Sequence, residues 1–163
     1  MPTPSPQALS SVVAVLSASR SRDVADVPYV ELYSGRLQGV ISSGSDVDRV
    51  YVSFFAGHGG GFSCSTNNNR PCGGLRGSPC KHLTQLLNEA FTQLGAERIV
   101  RYLGLPCEPD TIKRGGDLLR HMTGGQVKAE TGAVFSRFLS YLRFLELSGS
   151  SDQAPELAWF VAG

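Results

Sequence analysis

Residues 64–82, CSTNNNRPCGGLRGSPCKH, contain three of the four cysteines of the chain and one of its three histidines. Thiolates and neutral imidazoles are the usual protein ligands of Zn²⁺, and three sulfurs with one nitrogen complete a tetrahedral set. Four protein ligands leave no coordination position for water, which is typical of a structural rather than a catalytic ion. We therefore predict one structural Zn²⁺ bound by Cys64, Cys72, Cys80 and His82.

The cysteines also allow roles that do not involve zinc. Cys107 makes the number of cysteines even, so two disulfides are an alternative, and the thiols could also be unligated. A chain of 163 residues buries a core of ordinary size and does not need such cross-links. His58, in the glycine-rich run 57–61, is an alternative fourth ligand in place of Cys72. We expect Cys107 to be an inert buried thiol.

The composition is that of a soluble globular domain, with 41% hydrophobic residues and a single tryptophan. Fifteen basic residues against fourteen acidic ones give a net charge of +1, whereas a dedicated nucleic-acid binder usually has a basic excess. No stretch approaches the ~20 apolar residues of a membrane span. The N-terminus lacks the basic and solidly apolar regions of a secretory signal, so we expect a cytoplasmic protein, or a nuclear one in a eukaryote.

Hydrophobic periodicity predicts an α+β fold. Residues 27–33, 37–42 and 49–55 have the composition of strands, and a turn at 44–46 makes an antiparallel meander the simplest arrangement. Pro28 places the first strand at an edge, because proline cannot donate to a ladder. The last strand is expected to run toward Cys64, so the predicted order is β-meander or hairpin, zinc-binding loop, packed helix and C-terminal helical part.

The predicted helices cover residues 5–19, 80–94, 97–103 and 132–147, with a weakly helical segment at 110–122. Ser78 and Pro79 are expected to cap and begin the second helix, which has the clearest apolar stripe, and Gly95 to end it. We predict a single domain at 1–147, comprising a zinc module at 36–95 and a helical extension at 96–147. Residues 148–163 are expected to be a linker and an apolar tail.

The motif Phe62-Ser63-Cys64, a spacer, and then Pro79-Cys80-Lys81-His82-Leu83 resembles the SWIM-type zinc finger, whose pattern is Cys-x-Cys, a variable spacer and Cys-x-His. The preceding hairpin is similar too, and the resemblance covers residues 36–95. It departs from the family at Thr66, where the second cysteine is expected. Either Cys72 has taken over that role from a longer loop, which we favour, or the site is incomplete.

The resemblance implies protein–protein and protein–DNA contacts, often as an accessory to ATPases, transposases or recombinase paralogues. Our leading hypothesis is a non-enzymatic zinc-binding adaptor whose partner is another protein, with an ATPase or a recombinase-type protein as the candidates that the resemblance implies. Two apolar stripes on the 132–147 helix, and Trp159 in the tail, predict that the C-terminal part makes the main contact. The alternative is a DNA- or RNA-binding accessory module of a recombination or transposition complex, contacting phosphates through Arg70, Arg76 and Lys81.

A solvated face is the simpler interpretation of the other basic residues, because acidic residues are interleaved with them. These basic residues are Arg98, Arg101, Lys113, Arg114, Arg120, His121 and Lys128.

No catalytic set of side chains is recognisable, and a hydrolytic zinc enzyme is the least favoured class because the predicted site is closed.

Overall fold

A four-stranded antiparallel sheet with helices on both faces forms the described part of the chain, residues 27–43 and 46–149, in a computed structural model. The predicted helix at 5–19, the turn residues Gly44 and Ser45, and the tail from residue 150 onward lie outside the described residues. The α+β prediction is confirmed. No helix within the described ranges has the length and apolar character needed to cross a membrane.

The sheet contains its strands in sequence order, and the first strand is at an edge, as Pro28 predicts. The fourth strand was not predicted, and it carries Cys64. Its sequence, GFSCST, lacks the branched apolar residues that mark a strand, and a glycine-rich turn precedes it. The strands are β1 (Tyr29–Tyr33), β2 (Arg36–Ser43), β3 (Asp46–Ala56) and β4 (Gly61–Thr66).

The described residues form three α-helices: α1 (Lys81–Leu94), α2 (Ala96–Leu103) and α3 (Gly132–Gly149). The weakly helical segment at 110–122 is resolved into two 3₁₀ turns, Pro109–Thr111 and Gly115–His121. Gly95 ends α1 with a φ of 79°, as predicted. Because α3 continues to Gly149, the expected linker does not begin at residue 148.

One face of the sheet packs against α1. Gly39 of β2 makes this possible, because a Cβ there would lie 2.6 Å from Leu86 Cδ1 and 2.4 Å from the carbonyl oxygen of Tyr29. The helix therefore lies closer to β2 than a residue with a side chain at position 39 would allow. Burial of each leucine of the α1 stripe stabilises the fold by about 1.5–3 kcal/mol. The core on this face includes Leu37, Ile41, Phe55, Leu83, Leu86 and Leu87.

The other face of the sheet packs against α3, with one stripe of the helix buried and the second only partly covered. Phe135 and Leu142 are half-buried, and Leu139 is 46% exposed. The residues that pack together on this face are Tyr29, Val40, Val52, Val134, Phe138 and Tyr141.

An ion pair between the buried Glu31 and the half-buried Arg137 joins α3 to β1. The carboxylate of Glu31 is fully buried and accepts hydrogen bonds from Arg137 Nε at 2.9 Å, Tyr29 Oη at 2.7 Å and Gln38 Nε2 at 3.1 Å. The guanidinium lies 3.6 Å from the centre of the Tyr33 ring. Burial acts to raise the pKa of Glu31, but the hydrogen bonds from Arg137, Tyr29 and Gln38 outweigh it and hold this pKa below its usual value.

We predict that Arg137→Met destabilises the protein by roughly 2–3 kcal/mol, because it leaves a buried carboxylate without its cation. The matched control is Arg143→Met, at an exposed position of the same helix, which should change stability by less than about 0.5 kcal/mol. Urea unfolding at pH 7 measures both values. Equal losses of unfolding free energy for the two substitutions would contradict a stabilising role of the ion pair between Glu31 and Arg137.

The same pair predicts a pH dependence. Because the pKa of Glu31 is lowered on folding, its contribution is complete above the unfolded-state value of about 4.3 and is lost as the pH falls through the lower, folded value. The stability difference between the wild type and Arg137→Met should therefore shrink below about pH 4.

Candidate metal centre

The structure brings together the four predicted ligands Cys64, Cys72, Cys80 and His82, here called the Cys3His cluster. Their ligand atoms all lie within 4.8 Å of one another, and all four residues are buried. His82 Nδ1 lies 3.3 Å from the sulfur of Cys72 and 3.8 Å from each of the other two sulfurs. All four cysteines of the chain are free thiols, so the disulfide alternative does not agree with the structure.

A tight turn after β4 places Cys72 beside Cys64. The backbone N–H of Thr66 donates to the carbonyl of Arg70 at 2.8 Å, and Asn69 has a left-handed φ of 60°. The chain then runs back along β4, where the N–H of Cys72 donates to the carbonyl of Cys64 at 3.0 Å. The longer spacing of these cysteines is therefore compatible with a common site, because the intervening residues form a hairpin.

Cys80 and His82 converge because the helix begins between them. The residue that caps α1 is Cys80, with an extended φ of −81° and ψ of 174°, rather than the predicted Ser78, and Pro79 precedes the helix. Within a regular helix, side chains two positions apart point about 200° away from each other. The extended conformation of Cys80 removes this divergence, which confirms the expectation that Cys80 lies at the irregular helix entry.

Two side chains of β3 that were not identified from the sequence contact the cluster. The ring of Tyr51 stacks on the imidazole of His82, with ring centres 3.8 Å apart and planes inclined by 18°. Ser53 pairs directly with Cys64 across β3 and β4. The signal in the sequence was the period-two alternation of the strand, which places Tyr51, Ser53 and Phe55 on one face.

The electrostatics of the cluster concentrate negative charge on one sulfur. Hydrogen bonding with Cys64 lowers the pKa of Cys80 to about 4, with smaller contributions from His82 and the backbone N–H groups at the start of α1, against the effect of burial. These N–H groups belong to His82 and Leu83, and they act on the Cys80 sulfur as hydrogen-bond donors. Hydrogen bonding with Cys80 and then burial raise the pKa of Cys64, and burial raises that of Cys72.

This charge distribution fits a site for a divalent cation. Buried thiolates repel one another, and only a positive charge among them allows all three to ionise together. Zn–S bonds of about 2.3 Å and Zn–N bonds of about 2.0 Å at tetrahedral angles would separate nitrogen and sulfur by about 3.5 Å. The observed nitrogen–sulfur distances of 3.3–3.8 Å bracket that value. Soft sulfur ligands do not suit Mg²⁺ or Ca²⁺.

Gly74 belongs to the same site. Its backbone N–H donates to the sulfur of Cys72 at 3.4 Å. A Cβ at this position would lie only 3.1 Å from Cys80 Cβ and 3.6 Å from the sulfur of Cys72. A side chain at residue 74 would therefore crowd Cys80, and the glycine lets the backbone approach the sulfur of Cys72 without displacing its neighbour.

The other candidate residues lie elsewhere. His58 is exposed, packs its ring against Gly104 at the end of α2, and is not part of the Cys3His cluster, so the structure does not support it as a ligand. Cys107 is half-buried rather than buried, because it lies in the turn after α2 and not in the core.

Two of the remaining basic residues, Arg101 and Arg114, pair with acidic side chains. Arg101 pairs with Glu97 at 2.8 Å, and the Arg114 guanidinium lies 3.3 Å from the Asp117 carboxylate. Both pairs lie on the surface, which agrees with the interpretation of this region as a solvated face.

Comparison with models of protein families, with curated proteins and with solved structures finds no match to this chain.

Proposed function

We propose that the Cys3His cluster binds one Zn²⁺ and that this ion is structural. The observation that carries the proposal is the convergence of four buried ligand atoms within 4.8 Å, contributed by β4, by the loop after it and by the entry of α1. Four protein ligands complete the coordination of zinc and leave no position for a substrate. The proposal is therefore of a non-enzymatic zinc site.

The ion would cross-link segments that are otherwise joined largely by hydrogen bonds. Residues 67–80 contain no helix and no named strand, and most of their side chains are exposed. Binding zinc would attach this loop at Cys72 and Cys80 to the sheet at Cys64. Because a preformed site rarely exists in an unfolded chain, the free energy of binding, on the order of 10 kcal/mol for a structural site, would contribute to folding.

We further propose that the zinc-stabilised domain is an adaptor that binds another protein through α3. Leu139 is 46% exposed on a helix whose other stripe packs on the sheet, and large exposed apolar residues are common at the centre of protein contacts. Membership of the SWIM-type family, with an ATPase or recombinase-type partner, remains part of this proposal and rests on the sequence motif.

A second candidate function is contact with DNA or RNA. An open groove of about 500 Å³ beside the cluster is lined by Arg49, Arg70, Asn67 and Asn68, among other residues. Guanidinium and amide groups donate hydrogen bonds to phosphate oxygens, so the chemistry of this groove fits a nucleic-acid backbone. Its position next to Cys72 would couple such binding to the zinc loop.

We predict that Cys80→Ser abolishes stoichiometric zinc binding and destabilises the protein by several kcal/mol, because it removes a thiolate ligand from the site. The matched control is Cys107→Ser, which should retain about one zinc per chain and change stability by about 1 kcal/mol or less, since Cys107 is half-buried and outside the cluster. Elemental analysis of protein purified without added zinc and thermal unfolding measure the two effects.

Equal zinc contents of the two variants would show that Cys80 is not a ligand. A wild-type protein that is fully folded and contains no metal would contradict the proposed site.

We predict that Leu139→Gln reduces binding of the partner by at least tenfold, because it replaces an apolar contact residue with a hydrated amide. Arg143→Gln is the control, since it introduces the same residue at another exposed position of α3. Proteins captured by the wild-type chain are identified by mass spectrometry, and affinities of the purified partner are compared among the three proteins.

Salt dependence separates the two candidate functions. The affinity of an apolar contact should change little between 50 and 200 mM salt. Over the same range, binding through several phosphate contacts should weaken by roughly tenfold or more. Loss of capture after nuclease treatment, or equal binding by Leu139→Gln and the wild type, would contradict the adaptor proposal.

A further inference from the structure

Ser53 presents a buried hydroxyl group next to the Cys3His cluster. The residue lies in the middle of β3 and is fully buried, and its Oγ forms no hydrogen bond of ordinary geometry with the described residues. Buried hydroxyl groups in folded proteins nearly always have a hydrogen-bond partner. We therefore expect a hydrogen-bond acceptor close to the hydroxyl of Ser53 in the functional state of the protein.

The backbone pairing places Ser53 beside one sulfur of the cluster. Ser53 is the direct cross-strand neighbour of Cys64. The N–H and carbonyl of Phe62 bond to residues 125 and 127 on the outer side of β4, and the carbonyl of Cys64 bonds to Cys72 on that same side. Ser53 and Cys64 are therefore a non-hydrogen-bonded pair, the class of antiparallel pair whose side chains lie closest together.

The other two sulfurs of the cluster already have donors. The N–H of Gly74 donates to Cys72 at 3.4 Å, and the first N–H groups of α1 face Cys80. Three thiolates, a neutral imidazole and Zn²⁺ would carry a net charge of −1 in a buried site, so each sulfur gains from a nearby donor. Only Cys64 has no backbone donor of this kind among the interactions of the described residues.

We propose that the Ser53 hydroxyl donates a hydrogen bond to the zinc-bound sulfur of Cys64, which makes Ser53 a positioning residue of the metal site. This inference rests on the proposed zinc site. A metal-bound sulfur carries thiolate charge and is a stronger acceptor than a neutral thiol, so the hydroxyl gains a good partner in the zinc-loaded protein. Groups that hydrogen-bond to metal ligands typically change metal affinity by 10–100-fold.

The test compares Ser53→Ala with Ser63→Ala. Ser63 is a buried serine adjacent to Cys64 in β4, and its side chain points to the opposite face of the sheet. Zinc affinity is measured by competition with a chromophoric chelator. We expect Ser53→Ala to lower the affinity by about tenfold and Ser63→Ala to leave it within about twofold of the wild type.

A spectroscopic readout separates positioning of the ligand from simple packing. In protein loaded with Co²⁺, removing a hydrogen bond from a sulfur should move the sulfur-to-cobalt charge-transfer absorption to longer wavelength. This shift is expected for Ser53→Ala and not for Ser63→Ala.

If the wild type binds zinc while Ser53→Ala shows unchanged affinity and an unshifted band, the role of Ser53 is refuted and the zinc site stands. If the wild type binds no zinc, the site itself is refuted.

Discussion

The sulfurs of Cys64, Cys72 and Cys80 lie close together in the core, where their thiolate charges would repel one another. The packing around them depends on how this repulsion is relieved. Without a counter-charge the cluster favours one ionised sulfur, at Cys80, and raises the pKa values of the other two. A dication removes this conflict, because it allows all three thiolates to form and attracts each of them. In the proposed zinc-bound state, the ion would also fix the loop at 67–80, which is otherwise held largely by hydrogen bonds such as that between the N–H of Cys72 and the carbonyl of Cys64.

The two faces of the sheet depend on this constraint to different degrees. The three cysteines of the cluster belong to the same hydrophobic core as Leu83 and Leu86, so displacement of the sulfurs would disturb the packing of α1. The face covered by α3 has its own apolar cluster and is joined to β1 by the ion pair of Glu31 and Arg137. Loss of metal should therefore affect the α1 face more than the α3 face.

The Cys3His cluster, α1 and three of the four strands could be predicted from the sequence, because each has a local signal. Cysteines and a histidine close together in the sequence indicate a candidate metal site, and the leucines of α1 recur at helical spacing. The fourth strand could not be predicted, because β4 is polar and is held by pairing with β3 rather than by its own propensity. The cap of α1 was misplaced by two residues, at Ser78 instead of Cys80, because serine and proline are common signals of a helix start and cysteine is not. Ser53 became identifiable only when strand register placed it opposite Cys64.

The central claim is that one zinc ion is held by three sulfurs and one nitrogen, and X-ray absorption at the zinc K edge tests it most directly. The spectrum of protein purified without added zinc should fit three sulfur neighbours at about 2.3 Å and one nitrogen neighbour at about 2.0 Å. A shell composed only of nitrogen and oxygen, or one with fewer than three sulfurs, would contradict the assignment of the Cys3His cluster as a closed structural site.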